Sequence, residues 1–474
     1  MKKAVILFLA VLVLFVGTVS VLGASVHSAC DQVVYTEQPV YGDPREARGL
    51  TVSYRTTYDY KLLWDTVYPV GGEAKTEFTF SANEVYPTRE RDVFGISLNE
   101  ATGDIIFDGH EIVPYGLGKA ASELSLDLMP GEEATVQVKL EDYFDCYPLA
   151  ISVELEDYQH FTSSADMYLQ LRDNGVLYAE SEALAPLTEY FRIPILEGDL
   201  YEVSVGRDVN GYIGHVGGGT AGGDNYFPYT YNAVTADACY FTIDTHSTQG
   251  TVVDTSLLPD GYGIFRVPLV PGHVNAEGNT DGPVVASELE MVYPLDPTDE
   301  VLYLQTDGTE TRMLLWIVED GMLFCHIIDL ATMEQLQKLE IAPWQEGSGM
   351  FREEADFTLV VMWHSDSIAV VAKQPDGSYA LEFVCRAWPE QMEYLDLSQT
   401  VLAFDGRKLA VCTTLQNLEW VAGNAADLFL AVYDGTGMTY CGHYISSLHT
   451  GVDQVHWDYH VDNFGEPIRL QWES

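Results

Sequence analysis

Basic residues are scarce in this sequence. Only 23 Lys and Arg stand against 72 Asp and Glu among 474 residues, a formal net charge of −49. Nucleic acid and anionic lipid are both held through Lys and Arg, so this surface is a poor match for either, and no nucleic-acid partner is expected. Such a charge favours solubility and attracts cations and cationic polymers. Disorder does not explain it, because 47% of the residues are hydrophobic and 12% aromatic. That is ample material for a core.

Paired cysteines are also missing. The seven cysteines (Cys30, Cys146, Cys239, Cys325, Cys385, Cys412 and Cys441) include no CxxC pair, which excludes zinc-ribbon and thioredoxin-type spacing. Cys325 and Cys412 lie inside apolar runs and read as buried thiols acting as small hydrophobes. An odd, widely spread set does not describe a disulfide framework.

Catalytic signatures are absent as well. There is no GxSxG and no HExxH, and no Lys-Ser/Thr follows the glycine-rich stretch as a P-loop would require. Asp244-Thr245-His246-Ser247 and His364-Ser365-Asp366 bring the right residue types together, but triads are assembled from distant segments. No carboxylate pair stands out for glycosidase chemistry among so many. No repeated Gly-His to Trp-Asp pattern, kelch or RTX signature is present either.

What is present begins at the N-terminus. Lys2 and Lys3 precede an apolar stretch from Ala4 to Gly23. Its length suits a membrane-spanning helix, which needs about 20 apolar residues. It suits a signal peptide equally, because the strongest apolar core ends at Val16 and Val21-Leu22-Gly23 is an acceptable cleavage site. Either way the lysines keep the N-terminus inside and send the rest outward. The sequence therefore divides into a signal peptide or anchor (1–24), a polar linker (25–48) and an extracytoplasmic domain (49–474), membrane-anchored or secreted. Cys30 is a poor lipidation site, since His27-Ser28-Ala29 precedes it.

The remainder reads as all-β. Segments such as LTVSYRTTY, ATVQVKL, YEVSVG, FTLVVMW and SIAVVAK alternate or run apolar over about 4–8 residues between turn residues. The best helix candidate, Leu330 to Leu339, is short. Three Asp-Gly pairs, at Asp320-Gly321, Asp376-Gly377 and Asp434-Gly435, each precede a strand with aromatics and one cysteine. Asp-Gly is a strong hairpin signal because Gly supplies positive φ. Upstream matches at Asp260-Gly261, Asp208 to Gly211, Asp173 to Gly175 and Asp108-Gly109 extend the pattern to seven turns about 54 residues apart. A period of that size with four strands per unit describes a β-propeller of about seven blades. Ile468 to Trp472 would then pair near Leu50 to Tyr54 to close the ring. Two β-sandwich-like domains divided near Gly278 are the alternative.

Two segments are candidate sites. Glu277, Asn279, Asp281 and Glu288, with Gly282 and Val284 between, have the oxygen spacing of a Ca²⁺ loop. Glu is long for the first position, and Pro271 is unsuited to an entering helix. Gly217, Gly218 and Gly219 stand in a glycine-rich stretch ahead of Tyr226, Phe227, Tyr229 and Tyr231. Glycine permits close backbone approach and the rings can stack on a sugar or peptide. A third cluster, His456, Asp458, His460 and Asp462, would share one face of a strand, but neighbours about 7 Å apart do not converge on one metal without a bend. The expected function is a non-catalytic ectodomain that binds a glycan or protein at the cell envelope. The alternative is an extracytoplasmic hydrolase or lyase acting on polysaccharide or peptide through channel carboxylates.

Overall fold

The computed structural model describes residues 33–58, 61–82, 93–100, 105, 107–156, 185–269, 285–345, 349–389, 400–414, 427–448 and 463–473. They divide into two compact units, one of Met1–Arg89 with Glu346–Ser474 and the other of Glu90–Gln345. The N-terminal apolar segment, Asp173 to Gly175 and the His456–Asp462 cluster lie outside the described residues. Among the described residues no helix is long and apolar enough to cross a membrane.

The first unit opens with β1 (Tyr35–Gly42), β2 (Leu50–Tyr58), β3 (Leu62–Pro69) and β4 (Lys75–Phe80). The stretch read as a linker thus carries a strand. Buried Val33 and Tyr35 anchor it, and the register shifts between Pro39 and Tyr41, a bulge that accommodates a residue without an N–H.

The second unit begins with β5 (Val93–Glu100), α1 (Gly118–Leu126), β6 (Glu133–Lys139), β7 (Leu149–Glu156) and α2 (Ala185–Tyr190). β8 (Leu200–Arg207) and β9 (Ile213–Thr220) follow. These strands form a two-stranded sheet, β5-β7, and a three-stranded one, β6-β8-β9. Next come β10 (Thr230–Val234), β11 (Ala238–Ile243), β12 (Gly263–Pro268) and β13 (Glu290–Pro294), a four-stranded antiparallel sheet in chain order. β14 (Glu300–Thr306), β15 (Arg312–Glu319), β16 (Met322–Asp329) and β17 (Gln335–Pro343) make another of the same form.

The chain returns to the first unit with β18 (Gly349–Glu353), β19 (Phe357–Met362), β20 (Ser367–Lys373) and β21 (Tyr379–Arg386), again four strands in order. β22 (Thr400–Phe404), β23 (Leu409–Thr414), β24 (Leu428–Asp434) and β25 (Gly437–Ser446) repeat the form, with β1 added as a fifth strand on β25. Finally β26 (Asn463–Trp472) completes the sheet β26-β2-β3-β4. Leu50 faces Trp472 and Val52 faces Leu470 in this pairing, as expected for Ile468–Trp472 and Leu50–Tyr54.

Burial explains why the inner strands read as unbroken apolar runs. Every residue of β11 and of β19 is buried, whereas β17 is mostly open to solvent. A strand covered on both faces has no polar side to show. On β23, Leu409 and Val411 join one core with Phe357 and Leu359, while Ala410 and Cys412 join another with Val52 and Leu470. Sheets therefore stack face to face within the first unit. The second unit does the same: Ala238 and Tyr240 pack with Met313 and Leu315, and Cys239 and Phe241 with Val203 and Val205.

Three expectations are corrected. Leu330 to Leu339 is not a helix: Met333 adopts φ 56 in a turn, and β17 starts at Gln335 because β16 offers an edge to pair with. Helix propensity yields to tertiary pairing here. The Asp-Gly turns are not equivalent either. Asp320-Gly321 joins the second and third strands of its sheet, whereas Asp376-Gly377 and Asp434-Gly435 join the third and fourth. The sheets themselves start at residues 300, 349 and 400, a step of about 50 within the range of blade repeats. Lastly, Asp108-Gly109 turns a single isolated bridge between Phe107 and Ile112 rather than a four-stranded unit.

Candidate functional site

Most of the glycine-rich stretch lies on a strand, β9, which ends at Thr220. Gly217, Gly218 and Gly219 lie on β9 opposite Ser204, Val203 and Glu202. A Cβ on Gly218 would sit 2.7 Å from Cε1 of Tyr201, so that glycine makes room for a ring. A Cβ on Gly219 would meet nothing within 4 Å.

The four aromatics that follow separate by depth. Tyr226 is 1% exposed, and its hydroxyl donates to the Asp244 carbonyl at 2.7 Å. Its ring lies 5.1 Å from that of Tyr147, whose own hydroxyl donates to Asp199 Oδ2 at 2.7 Å. Burial holds the Asp199 carboxyl above the usual carboxylate range, although the Tyr147 hydrogen bond opposes it. Tyr226 is therefore a core residue rather than a platform. Tyr231, on β10, is partly buried, and burial followed by the nearby Asp244 and Glu300 charges raises its phenol.

Tyr229 alone of the four is open, at 63% exposure. Its ring stands 6.3 Å from Phe227. Its carbonyl accepts from the Asp244 N–H at 2.7 Å, so the backbone of this open residue is joined to the Asp244–His246 segment. Asp244 Oδ1 accepts from the His246 N–H at 2.9 Å and lies 3.6 Å from His246 Nδ1. Thr245 Oγ1, itself donating to the Pro297 carbonyl at 2.8 Å, is 3.4 Å from the same ring nitrogen. The Asp244 carboxylate beside the ring raises the His246 pKa against its burial, and Glu300 adds to the rise. The ring is thus shifted toward its charged form relative to a free histidine.

Sequence inspection named the rings but passed over Asp244 and His246 as mere neighbours in the chain. The signal that could have found them is the Asp-x-His step itself, an Asx-type turn in which the carboxylate reaches a backbone N–H two residues on. Glu300 carries no local signal, because only the sheet topology brings it near.

Of the proposed Ca²⁺ loop, Glu277, Asn279 and Asp281 lie outside the described residues. Glu288 ends a single 3-10 turn, Ala286–Glu288, and is exposed. Among the described residues no group of three or more His, Cys, Asp and Glu side chains is placed to hold a metal ion.

Neither the family models nor the curated proteins compared with the chain give a match. Among solved structures, the Cps50 (Swd1) β-propeller domain of Myceliophteria thermophila aligns at 12% identity and TM-score 0.26, over 51% of this chain and 68% of that one. The periplasmic gluconolactonase PpgL of Pseudomonas aeruginosa aligns at 16% identity and TM-score 0.24, over 52% and 64%. Apo AztD of Citrobacter koseri aligns at 11% identity and TM-score 0.29, over 89% and 98%. Superpositions this loose carry no argument about activity; the nearly all-β architecture of four-stranded antiparallel sheets stands on the strand pairing described above.

Proposed function

We propose that this chain is a non-catalytic, exported or membrane-anchored binding module of the cell envelope, built as a β-propeller-like ring of about seven blades. The ligand is a glycan, taken at the surface formed by Tyr229, Phe227, Asp244 and His246. The observation that carries the reading is the open Tyr229 ring tied through its backbone to Asp244. A sugar offers an apolar C–H face to an aromatic and hydroxyl donors to a carboxylate, and that pairing is what the surface supplies. The propeller reading is supported by successive four-stranded sheets and by the pairing of β26 with β2. The test is a glycan array probed with the whole chain, then calorimetry on each hit. Tyr229→Ala should weaken binding about tenfold, since an aromatic contact contributes about 0.5–1.5 kcal/mol beyond the area it buries. Absence of any binder, or an unchanged affinity in the variant, refutes it.

One observation favours the hydrolase or lyase reading. Burial, followed by the neighbouring Glu319 charge, pushes the Asp299 carboxyl up to about 6, a value suited to general acid work near neutrality. Cleavage of a polysaccharide or peptide panel that is lost in Asp299→Asn would establish it. The Ca²⁺ loop at Glu277, Asn279, Asp281 and Glu288 is a separate proposal, overturned if added Ca²⁺ and EDTA both leave the melting temperature unchanged.

A further inference from the structure

Large apolar side chains cluster in the open at one place in the second unit. Leu126, Met129 and Val209 are 77%, 64% and 83% exposed, and Tyr212 is 48% exposed. They come from three segments that hydrogen bonds fasten together. The Arg207 guanidinium donates to the Ser125 carbonyl at 2.9 and 3.2 Å and to the Gly211 carbonyl at 2.6 Å. It thereby ties the end of α1 to the 208–212 turn. The Gly131 N–H donates to the Asp208 carbonyl at 2.9 Å, docking the turn that carries Met129 onto the same spot. The 208–212 turn is itself fixed, since Asp208 Oδ1 accepts from the N–H groups of Asn210 and Tyr212 at 2.8 and 2.9 Å. Tyr212 is further braced edge-on by His110, at 4.9 Å between rings.

Isolated exposed apolar residues need no explanation, but a fixed group of them does. Preorganised tips lose little entropy on contact. The exposed charges next to them in the chain are acidic. Asp127 and Glu132 stand beside the tips and Asp208 is partly buried, while the partly buried Arg207 guanidinium is turned to backbone carbonyls. An anionic membrane is repelled by such a rim and by a net charge of −49. A basic partner is drawn to it, and complementary charge of this kind governs both encounter rate and partner choice.

We infer that this patch docks a basic amphipathic protein segment, with aliphatic anchors seated among Leu126, Met129, Val209 and Tyr212 and flanking Lys or Arg facing Asp127 and Glu132. It is a separate surface from the one around Tyr229 and does not depend on it.

The test uses the whole chain and a fluorescent helical peptide with Leu on one face and Lys on the other, in about 150 mM salt to limit unspecific attraction. Leu126→Ser/Met129→Ser/Val209→Ser should weaken binding at least about tenfold without changing the protein's charge, which corresponds to about 1.4 kcal/mol. A control peptide with Ser in place of Leu should bind wild type and variant equally and weakly. Val209→Ser alone, at a side chain with almost no packing to lose, should give a smaller loss with an unchanged melting curve. The inference is overturned if the triple variant binds the Leu/Lys peptide as tightly as wild type. It is overturned equally if wild type sediments with phosphatidylcholine vesicles and the variant does not, since that makes the occupant a lipid surface.

Discussion

Replacing Gly442 by alanine should damage the first unit out of proportion to one methyl group. On β25 the residues Tyr440, Gly442 and Tyr444 alternate onto one face, and both tyrosines are wholly buried. The Tyr440 side chain lies across Gly442, so that its hydroxyl reaches Tyr444 Oη at 2.8 Å and donates to Glu37 Oε1 at 2.6 Å. A Cβ on Gly442 would stand 2.0 Å from Tyr440 Oη, 2.6 Å from its Cζ and 3.1 Å from Tyr444 Cε2. The ring is rigid and surrounded, so it has to swing out of its seat. Two hydrogen bonds at about 1 kcal/mol each are then lost, and forcing extra volume into a packed core costs about 1–3 kcal/mol more. The expected destabilisation is about 3–5 kcal/mol.

Two separable units make a single global transition a poor measure of this. Native-state hydrogen exchange read on peptides covering Gly437–Ser446 is the suitable assay, because it reports local opening free energies. The control is the same substitution in a Tyr440→Ala background. There only Tyr444 Cε2, at 3.1 Å, still has to give a few tenths of an ångström, and Gly442→Ala should cost less than about 1 kcal/mol. A cost below about 1 kcal/mol in the wild-type background, or an equal cost in both backgrounds, refutes the reasoning.

Other consequences can be checked more briefly. Deleting Asn463–Trp472 exposes the whole edge of β2, so the first unit should lose its protection against exchange or proteolysis; retention of native protection would count against the pairing. Among the described cysteines, Cys146 is only partly buried and the other five are buried, with Cys385 and Cys441 pushed up to about 12 by burial. Ellman's reagent should therefore modify Cys146 in the native chain and reach Cys239, Cys325, Cys385, Cys412 and Cys441 only after unfolding. The Asp244 carboxylate beside the ring raises His246. That stabilisation is present in full below the ordinary histidine value and lost as pH rises through the folded one. In NMR titration His246 should protonate above about 6.5, and Asp244→Asn should bring it down. The turn-capping carboxylates run the other way. Arg45 holds Asp43 down to about 2, and hydrogen bonds from Ser378 and Ser256 lower Asp376 and Asp254. Their contribution is present above about pH 4 and fades as pH falls through the folded values, so acid should destabilise the chain; unchanged stability down to pH 2 would contradict it.

Legibility in the sequence follows the range of the interaction concerned. Strands covered on both faces, such as Phe357–Met362, announce themselves as apolar runs because burial alone decides their composition. The Asp320-Gly321 hairpin is readable for a local reason: both residues adopt positive φ, at 50 and 76, which suits Asp and Gly. What failed was the step from turn to repeat. Asp accepts hydrogen bonds from the backbone two residues on at Asp296, Asp376, Asp405 and Asp434 alike, so the residue type marks turns in general and not one position in the sheet. Leu330–Leu339 failed because its helix-like composition is overruled by the open edge of β16. Around Tyr229 the rings were visible, but which of them faces outward depends on β11 and β14, strands that no local pattern ties to it.

The pairing of β2 with β26 also sets a schedule. Leu50 and Trp472 are partners in the ladder yet emerge from the ribosome some 420 residues apart, roughly 20–85 s at ordinary synthesis rates. Throughout that interval β2 has an unsatisfied edge, while the described strands of the Glu90–Gln345 unit are all made before it ends. The inserted unit can mature first; the one that brackets it must wait for its last strand. If the chain is exported as proposed, its early strands must be kept from pairing with strangers until then, and the dense negative charge that looked like a mere solubility device would serve that delay by mutual repulsion.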